Sequence, residues 1–455
     1  MESRERLGSR LGFILLSAGC AIGCGNVWKF PWMAGQFGGG AFVLIYLFFL
    51  VVLGLPVMTI EFAMGRASQK SPVGIYQVLE PKGSKWHIHG YFALAGNVIL
   101  MMFYTVVAGW MLNYAVKTMT GAFVGLDAAG VGGEFGKMLS SPAQLIIYMA
   151  IIVALGFLVL SFSLKGGLER VTKYMMLALF VIMVVLAIHS CTMEGSKPGL
   201  SFYLLPDFSK ITWDVVVGAM NQAFFTLSLG IGSMAIFGSY IGKDRSLMGE
   251  SINIIVLDTL VALIAGLIIF PACFTYGVQP DNGPSLIFVT LPNIFNNMAL
   301  GRLWGTLFFL FMTFAAFSTV LAVFENILAC IRELTGWGRK KASLICGVAM
   351  FLLSLPCALG FNVLSGIEPL GKGTGIMDLE DFAVSNVLLP LGSMIFVLFA
   401  TMKKAWGWDK FVSEANAGKG AKVKPWMRFY ISYVLPLIII AIFVIGIVSF
   451  FKKPQ

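Results

Sequence analysis

Gly19-Cys20-Ala21-Ile22-Gly23-Cys24-Gly25-Asn26 interrupts a largely apolar stretch near the start of the chain, with residues 11–18 before it and 27–33 after it. Three of these eight residues are glycine, and glycine costs roughly 1 kcal/mol relative to alanine inside a helix. In lipid, unwound backbone survives only where it lines a cavity or is buried in protein. Such a break frees carbonyls that can hold a cation, and a half-helix N-terminus that can hold an anion. The plainer alternative is a glycine seam for close helix packing.

Composition sets the frame for that break. Of 455 residues, 58% are hydrophobic and 12% charged, which excludes an ordinary soluble domain. Apolar windows long enough to cross ~30 Å of hydrocarbon recur along the chain. Eleven are predicted, at 11–35, 40–65, 89–118, 142–163, 167–191, 213–240, 247–275, 300–335, 342–361, 377–402 and 427–451. With the N-terminus inside, 23 of the 32 Lys and Arg fall on the cytoplasmic side. The positive-inside rule then predicts a cytoplasmic N-terminus and an extracytoplasmic C-terminus. The formal charge of +10 is thereby a topology signal, and nucleic-acid binding is not expected. No cleavable signal peptide is expected. The seven cysteines sit in or beside apolar segments and read as buried small residues, not a disulfide framework. Residues 405–424 read as a solvated cytoplasmic loop, and residues 277–296 as an external loop able to act as a lid.

A second break lies in the sixth span, at Phe225-Thr226-Leu227-Ser228-Leu229-Gly230-Ile231-Gly232-Ser233. The first span enters from inside and the sixth from outside. If spans one to five and six to ten are repeats, the two breaks hold one position in opposite orientations. Paired interruptions of this kind point to a transporter site at a repeat interface. The expected fold is thus an all-α polytopic membrane protein with a 5+5 inverted repeat (11–191 and 213–402) and an extra helix at 427–451.

The chain resembles the neurotransmitter:sodium symporter family over essentially its whole length. The resemblance is carried by Arg10-Leu11-Gly12-Phe13, Gly23-Cys24-Gly25-Asn26-Val27-Trp28-Lys29-Phe30-Pro31 and Gly38-Gly39-Gly40-Ala41-Phe42. It continues in Glu61-Phe62-Ala63-Met64-Gly65-Arg66, Tyr104-Thr105-Val106-Val107-Ala108-Gly109-Trp110 and the second break. Eleven spans match a common bacterial form of the family, which implies a bacterial inner membrane.

The resemblance implies two Na+ sites. The first takes Ala21, Asn26, Thr226 and Asp258, the last standing where the family often has Asn. An Asp inside a membrane marks function by default, with a buried structural hydrogen bond as the bland alternative. The second takes the carbonyls of Gly19, Ile22 and Ala315 and the hydroxyls of Ser318 and Thr319. Chloride-dependent members carry a Ser at the position of Ala262, and some independent ones a Glu, so Asp258 is expected to supply the negative charge itself.

Amine transporters of the family carry an Asp at the position of Gly23. Its absence implies an α-amino acid, whose zwitterion brings its own counter-charge. The resemblance places the carboxylate near Na+, the Gly25 amide and the Tyr104 hydroxyl, and the ammonium near carbonyls at Ala21, Phe225 and Thr226. Cys20 and Cys24 border this stretch, and Leu100, Phe225, Ser228, Ile231, Thr319 and Val323 are expected to line a pocket for a neutral hydrophobic side chain. A small neutral amino acid or another zwitterion is the alternative cargo. Glu61 is expected to support both breaks by accepting their loose amides. The outer gate is expected at Lys29–Asp381, with Phe225 and Tyr104 capping the ligand, and the inner gate at Arg4–Glu333 with Tyr240 nearby. An enzyme, a channel and a scaffold compete. His87 and His89 point to different helix faces and make a poor metal site, a channel wants a polar stripe that is missing, and a scaffold needs no Asp258.

Overall fold

The computed structural model of the chain describes residues 7–277 and 286–452. Among them the secondary structure is helical, with one isolated bridge between Arg245 and Lys419. The first span is two helices, α1 (Arg10–Ala21) and α2 (Phe30–Gln36), joined through a π turn at Gly25–Lys29 and bent by 53°. Ser9 starts α1 by accepting the Gly12 amide at 2.9 Å. Three long spans follow: α3 (Gly40–Ser68), α4 (Ile88–Thr120) and α5 (Pro142–Ser161). α6 (Leu164–Thr192) precedes the second break, which parts α7 (Trp213–Thr226) from α8 (Ser233–Gly238). The chain continues through α9 (Leu247–Thr275), α10 (Gly301–Thr335), α11 (Arg339–Leu359), α12 (Ile376–Thr401) and α13 (Met427–Val448).

Nine of the described helices are long and apolar enough to cross a membrane, and the α1–α2 pair makes ten. Their limits fall close to the predicted spans. The predicted sixth span differs: its six-residue interruption leaves two helices of 14 and 6 residues, each too short to cross alone. Burial separates centre from rim. In α10, 78% of the most apolar window is buried, against 33% in α6 and 39% in α11. The outer helices therefore keep apolar side chains such as Val181, Leu344 and Val348 exposed for lipid, as a membrane solvent permits.

Two predicted loops carry structure. Within 405–424, residues Trp408–Ala415 form an amphipathic helix that buries Trp408, Phe411 and Ala415. Its Glu414 meets the fully buried Arg66 of α3 at 2.6 Å. Within 277–296, residues 278–285 lie outside the described residues, and Leu286–Asn296 is helical. Phe288 of this segment packs among Trp28, Trp110, Tyr114 and Phe135 at ring distances of 5.1–6.2 Å.

Candidate functional site

The two breaks meet at the centre of the bundle, and the residues they expose are almost wholly buried. At the first break, the Val27 amide still reaches the Gly23 carbonyl at 3.2 Å, while the Gly23 amide turns to Asn26 Oδ1 at 3.2 Å. Asn26 thus closes its own loop and projects toward α9. Its Nδ2 donates to Asp258 Oδ1 at 2.8 Å and to the Asp258 carbonyl at 3.0 Å. Thr226, the last residue of α7, places Oγ1 3.2 Å from Asn26 Oδ1 and 3.4 Å from each Asp258 carboxylate oxygen. Asn26, Thr226 and Asp258, three of the four residues expected at the first Na+ site, are therefore in direct contact. Ala21 borders the same space by lining the cavity described below.

The five residues expected at the second cation site are brought together. Ser318 Oγ lies 3.1 Å from the Ile22 carbonyl and 2.8 Å from that of Ala315. Thr319 Oγ1 lies 3.2 Å from Gly19 O, 3.3 Å from Cys20 O and 3.4 Å from Ile22 O. One hydroxyl proton serves one good acceptor, so two hydroxyls among four carbonyls leave oxygen lone pairs facing one another. A hard monovalent cation suits such an all-oxygen set.

Between these clusters lies a tight cavity of about 10 Å³, room for a single water. Cys20, Ala21, Gly23, Gly25, Leu100, Tyr104, Phe225, Thr226, Ser228 and Thr319 line it as expected, and Leu389 joins them. Cys24, Ile231 and Val323 do not line it. Cys24 borders the outer cavity instead. Ile231 is turned against α4, where its carbonyl accepts from Asn97 Nδ2 at 2.7 Å, and Val323 is fully buried within α10. Tyr104 Oη accepts the Cys24 amide at 2.8 Å. At Gly23 a Cβ would stand 2.3 Å from both Thr319 Oγ1 and Tyr104 Oη, so the break admits no side chain there.

Glu61 supports the second break. It accepts the Gly230 amide at 2.6 Å and the Met234 amide at 3.2 Å. Around it the backbone is left-handed at Ser228 (φ 49°), Gly230 (φ 96°) and Gly232 (φ 71°). Ser228 is a side-chain-bearing residue held in that region, a strained conformation that clusters at functional sites. A Cβ on Gly230 would meet the Leu389 carbonyl at 2.2 Å, so the turn also needs glycine to press against α12.

Outside the tight cavity, Phe225 and Tyr104 form its roof and the floor of a second cavity of about 260 Å³. Lys29 Nζ sits 3.9 Å from Asp381 Oδ1 and 3.9 Å from the Phe225 ring centre. The expected outer pair is thus in place, with a cation–π contact added. On the other face, Arg4 lies outside the described residues. Glu333 accepts from the Ser71 hydroxyl at 2.7 Å and amide at 3.0 Å. Tyr240 donates to Glu325 Oε1 at 2.9 Å, and Glu325 also pairs with Arg339 at 2.5 Å. The two histidines take separate partners, His87 with Glu80 and His89 with Tyr76, both at 2.7 Å.

Several residues near the site were not singled out by the sequence. Asn97 gathers Ser233, Asn326 and the Ile231 carbonyl beneath the pocket. Gln222 donates to the Gly25 carbonyl at 2.7 Å, and its Oε1 is buried without a partner. The Tyr46 hydroxyl is likewise buried without a hydrogen-bond partner, beside Thr226 and Asp258. Isolated polar residues in apolar spans at 46, 97 and 222 were the available signal.

This arrangement has clear relatives. The profile of the sodium:neurotransmitter symporter family matches residues 4–125 and 133–455. An uncharacterised sodium-dependent transporter of Bacillus subtilis is 37% identical over 97% of this chain and 98% of its own. A serotonin transporter of Drosophila melanogaster is 24% identical over 99% of this chain and 77% of its own. A crystal structure of MhsT in complex with L-phenylalanine superposes with a TM-score of 0.88 at 36% identity, over 98% of this chain and all of that one. The chain belongs to the sodium:neurotransmitter symporter family, whose members are sodium-dependent membrane transporters and not enzymes.

Proposed function

We propose that this protein imports neutral, hydrophobic amino acids by symport with two Na+ and without chloride. The observation that carries the proposal is the double membership of two threonines. Thr226 lines the tight cavity and touches Asn26 and Asp258, while Thr319 lines it and touches the carbonyls of α1. Cargo that widens this cavity and takes its place shares ligands with ions in both oxygen clusters, so each raises the affinity of the other. Na+ moves as cargo, and its charge offsets the carboxylate of the amino acid.

The absence of space at Gly23 supports a zwitterion over a bare amine, because no acidic side chain fits there to meet an ammonium. Leu100, Phe225 and Leu389 favour an apolar side chain, and the phenylalanine bound to MhsT supports an aromatic one. Asp258, beside the apolar Ala262 in sequence register, supports charge compensation without an anion. Alternating access follows from the two faces. The Lys29–Asp381–Phe225 group closes the outer path, and the inner path opens by release of α1 from α10. Eleven spans, two inverted repeats and a cytoplasmic N-terminus complete the reading.

The test is uptake of labelled phenylalanine and leucine into proteoliposomes. Accumulation is expected with an inward Na+ gradient, none with choline, and no change when gluconate replaces chloride. Accumulation that ignores choline replacement overturns symport, and collapse in gluconate overturns chloride independence. Competition by the twenty amino acids then ranks the cargo.

A further inference from the structure

α5 and α11 lie side by side at the rim of the bundle and leave an open groove of about 540 Å³ between them. Its walls are apolar and exposed: Leu158 on one side, Leu344 and Val348 on the other. Its floor is Phe157, stacked on Phe324 of α10 at 4.2 Å. One end carries Lys340, and the groove runs from there to Phe351. At ~1.5 Å per residue those eleven steps span about 16 Å, the depth of one leaflet of a ~30 Å hydrocarbon core.

Two features point to an occupant with a polar head and an apolar tail. Ser343 is buried, lines the groove near the Lys340 end, and its hydroxyl has no hydrogen-bond partner. A cationic cluster stands at that same end. Arg339 is engaged, donating to the Leu160 carbonyl at 2.7 Å and pairing with Glu325. Lys340 and Lys341 are exposed, and Lys341 lies 4.9 Å over Trp337, an aromatic placed as membrane-interface residues are. A lysine facing the headgroup layer attracts anionic lipid.

We propose that this groove binds one anionic phospholipid from the leaflet that Lys340 reaches. The acyl chain lies along Val153, Leu158, Leu344 and Val348, the phosphate meets Lys340, and the glycerol region meets Ser343. The occupant holds Phe157 against Phe324, and α10 carries the Ser318–Thr319 cluster further along the same helix.

The experiment is native mass spectrometry of the purified full chain, released from micelles doped with equal phosphatidylglycerol and phosphatidylcholine. Wild-type protein is expected to retain one phosphatidylglycerol in preference. Lys340→Gln lowers that preference about fivefold, and Ala154→Phe, which fills the groove, removes retention of the lipid. Should that variant not fold, Val348→Phe fills the groove from the opposite wall. Equal retention of the two lipids by wild type, or unchanged retention in both variants, overturns the proposal. So does a groove-filling variant that turns a dimer into a monomer with its lipid intact, because the groove then holds a second copy of the chain.

Discussion

The two breaks solve one problem in different ways. The second break, six residues long, is held by side chains of neighbouring spans. Glu61 takes its amides, Asn97 takes the Ile231 carbonyl, and three left-handed residues shape the turn. The first break is shorter, and its freed carbonyls at Gly19, Cys20 and Ile22 face two hydroxyls that cannot serve them all. Buried acceptors left so poorly paired are costly, and a cation removes that cost. We therefore propose that the second break is a fixed scaffold and that the first is the element whose order depends on sodium. A transporter needs both: one wall that keeps the pocket's shape, and one whose position reports what is bound.

The largest expected effect comes from removing the carboxylate that faces the first break. Asp258→Ala is expected to lower apparent Na+ affinity about a thousandfold, ~4 kcal/mol, with the fold retained by circular dichroism. Undiminished sodium dependence of amino-acid binding breaks the comparison, because the first break would then be ordered without its charged neighbour. Glu61→Gln probes the other wall. The amide keeps one acceptor for two buried donors and turns its own NH2 toward the second, at a cost of about 2 kcal/mol. The loss is expected in thermal unfolding with and without Na+ alike. If added Na+ restores the midpoint, the second break is sodium-ordered too.

Legibility in the sequence follows the same divide. Helix limits were readable because hydropathy alone sets them in lipid, and both breaks were readable because glycine in mid-span has few other uses. The residues expected at the ion sites came from residue-by-residue resemblance; Asn26 meets Asp258 in one cluster, and Ser318 and Thr319 meet the carbonyls of the first break in another. Pocket membership was less legible. Ile231 follows the lining residue Ser228 by three positions, yet the left-handed turn at Gly230 and Gly232 places it against α4. No periodicity survives such a turn, so spacing cannot place the side chain. The Trp408–Ala415 helix was hidden by its polar composition, because its anchor is the long-range Arg66–Glu414 pair. Glu325 was missed because its partners, Tyr240 in the turn after α8 and Arg339 at the start of α11, come from separate parts of the chain.

A smaller effect is expected at the hydroxyl cluster. Thr319→Val keeps the side chain's volume and removes one oxygen, so the carbonyls of Gly19, Cys20 and Ile22 lose a shared neighbour. Apparent Na+ affinity is expected to fall about tenfold, ~1.4 kcal/mol, with unfolding in sodium-free buffer nearly unchanged. A loss of stability that is equal with and without Na+ shows that the hydroxyl is structural.

The smallest effect tests the outer gate, where the fixed and the ordered walls touch. Lys29 belongs to the first break's π turn and Phe225 to the approach of the second, and Asp381 holds the cation between them. The ion pair is long, at 3.9 Å, with Asp381 42% exposed, so solvent screens it and its strength is under about 1 kcal/mol. Lys29→Arg supplies a planar fork that engages a carboxylate with two bonds and stacks on the ring. Substrate release to the outside is expected to slow by up to about fivefold, read as a longer residence time of labelled amino acid on the purified protein. If release does not change with Lys29→Arg but quickens with Phe225→Leu, the ring alone closes the path. The contact between the two breaks would then be apolar, and the ion pair would be only a surface feature above it.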